Sequence, residues 1–406
     1  MEIPFESLRP ITDDWEEWDA ELARRRIFWD SLATKDWFRE RGYTLYDREF
    51  PESQTTVPAL PFEDSQEANH PYAVHALDMS FGEVPLRATD WDSGKVLFAQ
   101  DSQSRHVAIK IVKDDGDEYR VLQFLQQQPH KILRSHCLIP ALDMGWKCDA
   151  ASFHEILDLV RAMLKGLSFL HKHNICHRDV KPANMLANHF SDDTDANFDT
   201  RMQLRLHGQL KYAMFDFDFS IMFPPTIDRA LCRLPYQKSW EAAWIRPYDT
   251  SQGEFDYDPF AFDVGTLGFV LIHSFRERIR YAPLLAPLLD RMTTHRLQER
   301  FTAEQALRYL EEAYAEITED ELSKEMEPEP MPICEDSRDL WVDVPPHLAA
   351  RWSSHRQPAL PLRQKFLRWL CRYPTMQHLV LLARWTFYQL TTYPARFCRC
   401  YGTHSM

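Results

Sequence analysis

Apolar positions along the chain change their period part-way. Residues 13–40, DDWEEWDAELARRRIFWDSLATKDWFRE, place apolar residues at helical spacing behind an acidic start, which predicts an amphipathic helical segment packed on the body. A Pro-rich, polar passage at 51–72 leads to VPLRATDWDSGKVLFAQDSQSRHVAIKIV, 84–112. There β-type runs flank a polar DSQSR turn, and three consecutive strands are predicted. From 151 to 310 the spacing is mostly helical, as in ASFHEILDLVRAMLKGLSFLHKH and DPFAFDVGTLGFVLIHSF, with one polar insert at 187–208. A strand-rich part followed by a helix-rich part predicts an α+β architecture. The acidic, Pro-bearing stretch 316–339 reads as a linker, and no internal repeat is present.

Composition narrows the class. With 406 residues, 44% hydrophobic and 13% aromatic, the chain can bury a sizeable core in one large or two moderate domains. The start, MEIPFESLRP, lacks the basic and apolar regions of a signal peptide, and the longest apolar run, VGTLGFVLIH at 264–273, is too short to span a bilayer. An intracellular location, cytoplasmic or nuclear, is expected. Eight cysteines without C-x-x-C spacing argue against a zinc ribbon and a secreted disulfide framework, so free thiols are expected. Net charge is -14, yet residues 346–406 hold nine Lys or Arg and no Asp or Glu. A basic tail on an acidic body predicts intramolecular docking; contact with an anionic membrane surface is the less favoured reading. No nucleic-acid partner is expected, and the oligomeric state is not legible.

The sharpest chemical signal is CHRDVKPANML, 176–186, after a predicted helix. V-A-I-K at 107–110 precedes it; FDFDFS at 215–220, FDVGTLG at 262–268 and RFTAEQAL at 300–307 follow. In that order these segments resemble the catalytic loop H-R-D-x-x-x-x-N and companion motifs of the protein kinases, over roughly residues 84–312. The resemblance implies a two-lobed fold, with a small β-rich N-lobe carrying one helix at about 84–145 and a larger, mainly α C-lobe at about 146–312. An extension, 1–83, would precede it, and an acidic linker, 313–345, and a basic aromatic tail, 346–406, would follow. It also implies ATP and Mg2+ as cofactors and a protein substrate.

Phosphoryl transfer depends on cancelling phosphate charge and aiming a hydroxyl in line. The resemblance implies that Lys110 holds the α- and β-phosphates and that Asp179 accepts the substrate hydroxyl's hydrogen. Lys181 would reach the γ-phosphate, a position favouring Ser/Thr over Tyr substrates. Asn184 and Asp216 would bind magnesium. Val96, Ala108 and Leu186 would sandwich adenine, and Asp263 would support the catalytic loop. Lys110 needs a carboxylate partner, and Glu118 is the candidate, since no acidic residue occurs between it and Asp143. Leu122, four residues on, would share its helical face.

FDFDFS offers two registers. Were Asp218 the metal ligand, Asp216 would take a strand position pointing into the core, where an unpaired carboxylate costs several kcal/mol. Asp216 is therefore the expected ligand, with Asp218 standing where kinases carry the glycine of D-F-G.

Three departures temper the resemblance. Besides that substitution, the phosphate-covering loop falls on TDWDSGKV, 89–96, where Gly94 and Val96 match but Thr89 and Trp91 replace glycines. The hinge region, about 137–152, is short for two strands and their turns. The alternative to an active kinase is therefore a pseudokinase, a binding or scaffold module with weak or no ATP binding. The glutamate of A-P-E has no match near Arg246-Pro247-Tyr248, so Arg300, its usual partner, is expected on Glu241, on Glu254 or in solvent. Thr226 and Ser239 could be phosphorylated to engage Arg178. HKHNICH as a metal cluster and DDTDANFD as a calcium loop are the weaker readings of those stretches. The wider pattern, with EFDYDPFAFDVGTLG and the tail, resembles the expanded kinase-like proteins of mushroom-forming fungi.

Overall fold

The computed structural model describes residues 15–50, 55–59, 75–78, 82–85, 88–89, 94–102, 106–138, 153–187, 203–204, 207–242, 245–318 and 339–400. The chain divides into two compact units. One comprises Met1–Ala150, Glu155–Gly166 and Pro182–Asp218, and the other Ala151–His154, Leu167–Lys181 and Phe219–Met406. Residues 90–93 of the phosphate-covering loop, hinge residues 139–152, most of the polar insert and linker residues 319–338 lie outside the described residues.

The first unit starts with helices α1 (Trp15–Asp30) and α2 (Leu32–Arg39). Ser31 separates them, its hydroxyl accepting from the Thr34 amide at 3.2 Å as an N-cap. An antiparallel sheet follows, in the order β1 (Tyr43–Leu45), β2 (Val96–Asp101), β3 (His106–Lys110). The predicted run of three consecutive strands is thus replaced. β2 and β3 form the expected hairpin, but their third strand comes from before residue 84, while Gly82–Pro85 pairs with His75–Asp78 and Ala88–Thr89 with Thr55–Val57.

Register decides what the sheet presents. Val96 pairs with Lys110 and Phe98 with Ala108, so these four share one face. Leu97, Ala99, Val107 and Ile109 share the other, which packs on Phe28, Trp29 and Leu45. Trp29 is 1% exposed, and its indole donates to the Gly94 carbonyl at 2.8 Å. Gly94 adopts φ +57°, and a Cβ there would come within 2.9 Å of the Arg25 Cβ, so the close approach of α1 demands glycine. Helices α3 (Asp117–Gln126) and α4 (His130–Ser135) follow the sheet, and β5 (Met185–Ala187) pairs antiparallel with β6 (Tyr212–Met214).

Helix α5 (Phe153–Lys172) buries Ile156, Val160, Met163, Leu164, Leu167 and Leu170, the helical spacing read in the sequence. In the second unit, β4 (Ile175–Cys176) pairs with β7 (Ile221–Met222), and β8 (Leu234–Pro235) with β9 (Asp256–Tyr257). Helices α6 (Pro259–Phe275), α7 (Leu285–Thr293) and α8 (Ala303–Tyr314) form its core. Asp258 caps α6, accepting from the Phe260 and Ala261 amides at 2.9 and 3.1 Å, with Pro259 in the first turn. Thr302 and Gln305 form a capping box at the start of α8.

The tail comprises α9 (Pro346–Arg351), α10 (Leu362–Leu370) and α11 (Pro374–Cys400). It is anchored by Asp290 of α7, whose carboxylate accepts from the Trp341 indole at 2.6 Å and from the Gln357 amide and side chain, both at 3.1 Å. Among the described residues no helix is long and apolar enough to cross a membrane. Cys137, Cys176, Cys232 and Cys371 are free.

Candidate active site

Lys110 closes β3 on the face opposite the apolar core, and the next helix places Glu118 in its first turn. The Lys110 ammonium lies 2.7 Å from Glu118 and 2.8 Å from Asp216, and it also contacts Asp218 directly. Both FDFDFS carboxylates therefore converge on one lysine. The three carboxylates have oxygens within 4.8 Å of one another, a grouping compatible with a metal ion. The ammonium donates hydrogen bonds to Asp216 and Asp218 and forms an ion pair with Glu118.

Electrostatics follow from that crowding. Burial works to lower the Lys110 pKa, but Asp216, Asp218 and Glu118 outweigh it and raise it above the ordinary lysine value. Burial, helped by a hydrogen bond with Asp218, pushes the Glu118 carboxyl up to about 7. Burial opposes ionisation of Asp218 too, yet the Glu118 hydrogen bond and Lys110 hold its carboxyl below the ordinary value. The direction is clear: when the three acids share one lysine, Glu118 carries the proton more readily than Asp218.

Local structure explains how Asp216 arrives. At the end of β6, the Met214 amide donates to the Cys137 carbonyl at 2.9 Å, and the next amide, of Phe215, donates to the Asn184 carbonyl at 3.2 Å. Asn184, 3% exposed, is thereby tied within one residue of Asp216. Asp216 has φ +64°, a conformation that aspartate tolerates better than most residues and that marks functional sites in many proteins. Phe217 is 1% exposed, so the strand's alternation ends with one apolar side chain inward and two acids toward Lys110. Of the adenine candidates, Leu186 is buried, Val96 half-buried and Ala108 exposed on the Lys110 face. Gly94 is turned to α1.

In the second unit the HRD segment hangs from one carboxylate. Asp263, fully buried in α6, accepts from the His177 and Arg178 amides, each at 2.7 Å, and lies 3.1 Å from the His171 ring. Asp179, 1% exposed, lies 2.7 Å from the Lys181 ammonium, and its amide donates to the His177 ring at 3.3 Å. Arg178, at φ +67°, donates to the Phe219 and Lys238 carbonyls at 2.9 and 2.6 Å and to Glu241 at 3.0 Å.

Two expectations change here. Arg300 pairs with neither Glu241 nor Glu254; its guanidinium grips Asp249 with two bonds, of 2.7 and 2.8 Å. Glu241 is engaged by Arg178 and Lys238, and Glu254 accepts from the Gln252 amide. The missed residue had a signal: in R-P-Y-D the acid stands two places after the proline instead of one. Ser239 does not point to Arg178 from the surface. It is 3% exposed, donates to the Tyr236 carbonyl at 2.6 Å and shares a 2.8 Å bond with Thr250. Thr226 is exposed.

A lysine with a helix-borne glutamate, an acid after a short strand and a carboxylate-hung HRD loop form a pattern that known proteins can be compared with. Residues 107–223 match the protein kinase domain. Over 119 residues the chain is 32% identical to the serine/threonine-protein kinase TAO1-A of Xenopus laevis, covering 23% of this chain and 12% of that protein. It is 27% identical over 171 residues to cyclin-dependent kinase 12 of Drosophila melanogaster, covering 42% of this chain and 12% of that protein. It is 37% identical over 87 residues to the liver/testis phosphorylase b kinase gamma catalytic chain of Bos taurus, covering 21% of this chain and 17% of that protein. The matches span 12% to 17% of these relatives' own lengths. They support a serine/threonine protein kinase-like family, and the mixed helices and small sheets are compatible with its fold. The domain match runs from β3 to just past β7, taking in Lys110, Glu118, Asp179, Lys181, Asn184 and Asp216.

Proposed function

We propose that this chain is an ATP- and magnesium-dependent serine/threonine protein kinase. The observation that carries the reading is the Lys110–Glu118 pair at 2.7 Å beside Asp216, inside the matched segment. The donors suit the cofactor: Asn184 and Asp216 offer hard oxygens, which magnesium takes in preference to nitrogen or sulfur. When bound, magnesium-ATP supplies the phosphoryl group, with the metal cancelling part of its charge. The chain's own residues do the rest. Glu118 orients the Lys110 ammonium toward phosphate oxygens, and Val96, Ala108 and Leu186 offer apolar contacts to adenine. Asp179 accepts the hydrogen of a substrate Ser or Thr hydroxyl as its oxygen attacks the γ-phosphorus, and Lys181 balances charge on the γ-phosphate oxygens. Asp263 holds the loop's backbone so that Asp179 need not reorganise.

A second reading, a pseudokinase scaffold, draws on Asp218. With it in contact, the Lys110 ammonium is crowded by three acidic side chains, and phosphate oxygens must compete with them for it. Two measurements separate the readings. Purified protein with radiolabelled ATP and magnesium should phosphorylate a generic Ser/Thr substrate, and Asp179→Asn should abolish transfer. Ligand at 100 times its Kd stabilises the folded state by about 2.7 kcal/mol, so magnesium-ATP should visibly raise Tm. No shift at millimolar nucleotide favours the scaffold.

A further inference from the structure

Helices α10 and α11 carry an apolar surface that the proposed kinase site does not use. α10 is mounted in the inverse of the usual sense: Gln364, Leu367 and Arg368 face the body, half-buried, while Leu362, Phe366 and Trp369 stand in solvent at 82%, 57% and 52% exposure. Tyr373, 55% exposed, continues the stripe, with ring centroids 5.8 Å apart for Phe366–Trp369 and 6.2 Å for Trp369–Tyr373.

α11 repeats the arrangement. Gln377, Val380, Leu381 and Arg384 turn inward at helical spacing, leaving Leu379, Leu382 and Trp385 more than half exposed. The inward faces are already occupied: Arg368 lies 4.7 Å over the Tyr248 ring, Arg384 is 3.7 Å from Glu254, and Val380 packs so tightly on Gly253 that a side chain there would collide. The outward face cannot therefore be covered by rotating the helices onto the body without breaking those contacts.

Charge selects the occupant. Arg363, Lys365 and Arg372 are exposed beside the stripe, and no Asp or Glu occurs anywhere in 346–406. A second copy packed face to face would bring these cations against one another. We infer that α10 and α11 form a peripheral docking surface for an anionic phospholipid membrane, lying in its plane with Leu362, Phe366, Trp369 and Leu382 at the headgroup–acyl boundary. Aromatic side chains on an apolar face flanked by cations are the composition of interfacial helices, and no described helix spans a bilayer.

The test uses the full chain with vesicles of phosphatidylcholine alone and with phosphatidylserine added. Sedimentation should show binding to the second, release by high salt, and little binding to the first. Removing one cation, Arg363→Gln or Arg372→Gln, should weaken binding about fivefold. The double change Phe366→Ser with Trp369→Ser should abolish it, and its unchanged circular dichroism would show that the fold survives. Absence of binding to the phosphatidylserine vesicles, or binding indifferent to the double change, overturns the inference. So does a dimer in light scattering that the double change converts to monomer, since the face would then belong to a second copy. Equal binding to polyglutamate would assign it to an acidic protein and overturn it as well.

Discussion

At the scale of residues, nucleotide binding turns on how many acids Lys110 serves. Asp216 and Glu118 suffice to hold an ammonium; Asp218 is the additional acceptor. Its contact with Lys110 is partly solvated, so the pair is worth about 1 kcal/mol. Asp218→Gly should thus tighten magnesium-ATP binding about fivefold by calorimetry, and an unchanged or weaker Kd would show that Asp218 does not compete. From the sequence, Asp216 is preferred over Asp218 because the preceding strand could not bury an unpaired acid; in the structure both acids reach Lys110. The role of Asp218 was not legible: its arrival at Lys110 depends on the left-handed backbone at Asp216, which no residue type announces. Glu118 is the sequence candidate because no acid follows it before Asp143, and the structure sets it 2.7 Å from Lys110 while its neighbour Asp117 pairs with Arg120.

At the scale of elements, the loop before α6 is fastened to the loop before α8 by Asp249 and Arg300, whose side chains are 6% and 1% exposed. Removing one partner leaves a buried charge uncompensated. Asp249→Asn should therefore lower unfolding stability by about 3–5 kcal/mol, seen as a lower urea midpoint at constant slope. Arg300 also donates to the Thr294 and Ala261 carbonyls, so the change would loosen both loops together. The sequence pointed to Arg300 but not to its partner, because motif spacing reports which residues need partners and not which loop delivers them. The helical spacing read in 151–173 and 258–275 matches α5 and α6 better, because apolar period is local and needs no distant partner.

Tail anchoring adds a pH-dependent element. Burial raises the Asp290 carboxyl above its ordinary value of 3.8, even though Trp341 and Gln357 donate to it. The folded chain then keeps a proton that the unfolded chain has released. The associated stability is present below the ordinary carboxylate value and is lost as pH rises through the raised one. Wild-type stability should fall across that window, and Asp290→Asn should flatten the fall; parallel curves would contradict the assignment.

At the scale of the whole molecule, residues 15–45 are part of the first unit's core. β1, α1 and α2 close the sheet behind Lys110, with Trp29 and Phe28 at the centre. Trp29→Ala should cost about 3–5 kcal/mol, measured by thermal unfolding. The sequence showed this helix and its packing on the body, but not its contact with Gly94. A glycine that fits a phosphate loop by spacing is accounted for by the close passage of Arg25 and by the Trp29 hydrogen bond. The acidic body and basic tail do meet in ion pairs, Arg351–Glu316 at 2.7 Å and Arg384–Glu254 at 3.7 Å, but exposed pairs contribute little. Asp290 and the Gly253–Val380 contact hold the tail more firmly.

In the proposed function, Lys110, Glu118, Asp179, Asn184 and Asp216 serve the transfer of one phosphoryl group. The most direct test is phosphotransfer from radiolabelled ATP with magnesium, comparing the wild-type chain with Asp179→Asn at matched fold and concentration. Label on Ser or Thr with the wild type and none with the variant is expected; equal labelling by both, or none by a wild type that binds magnesium-ATP, would overturn the proposed function.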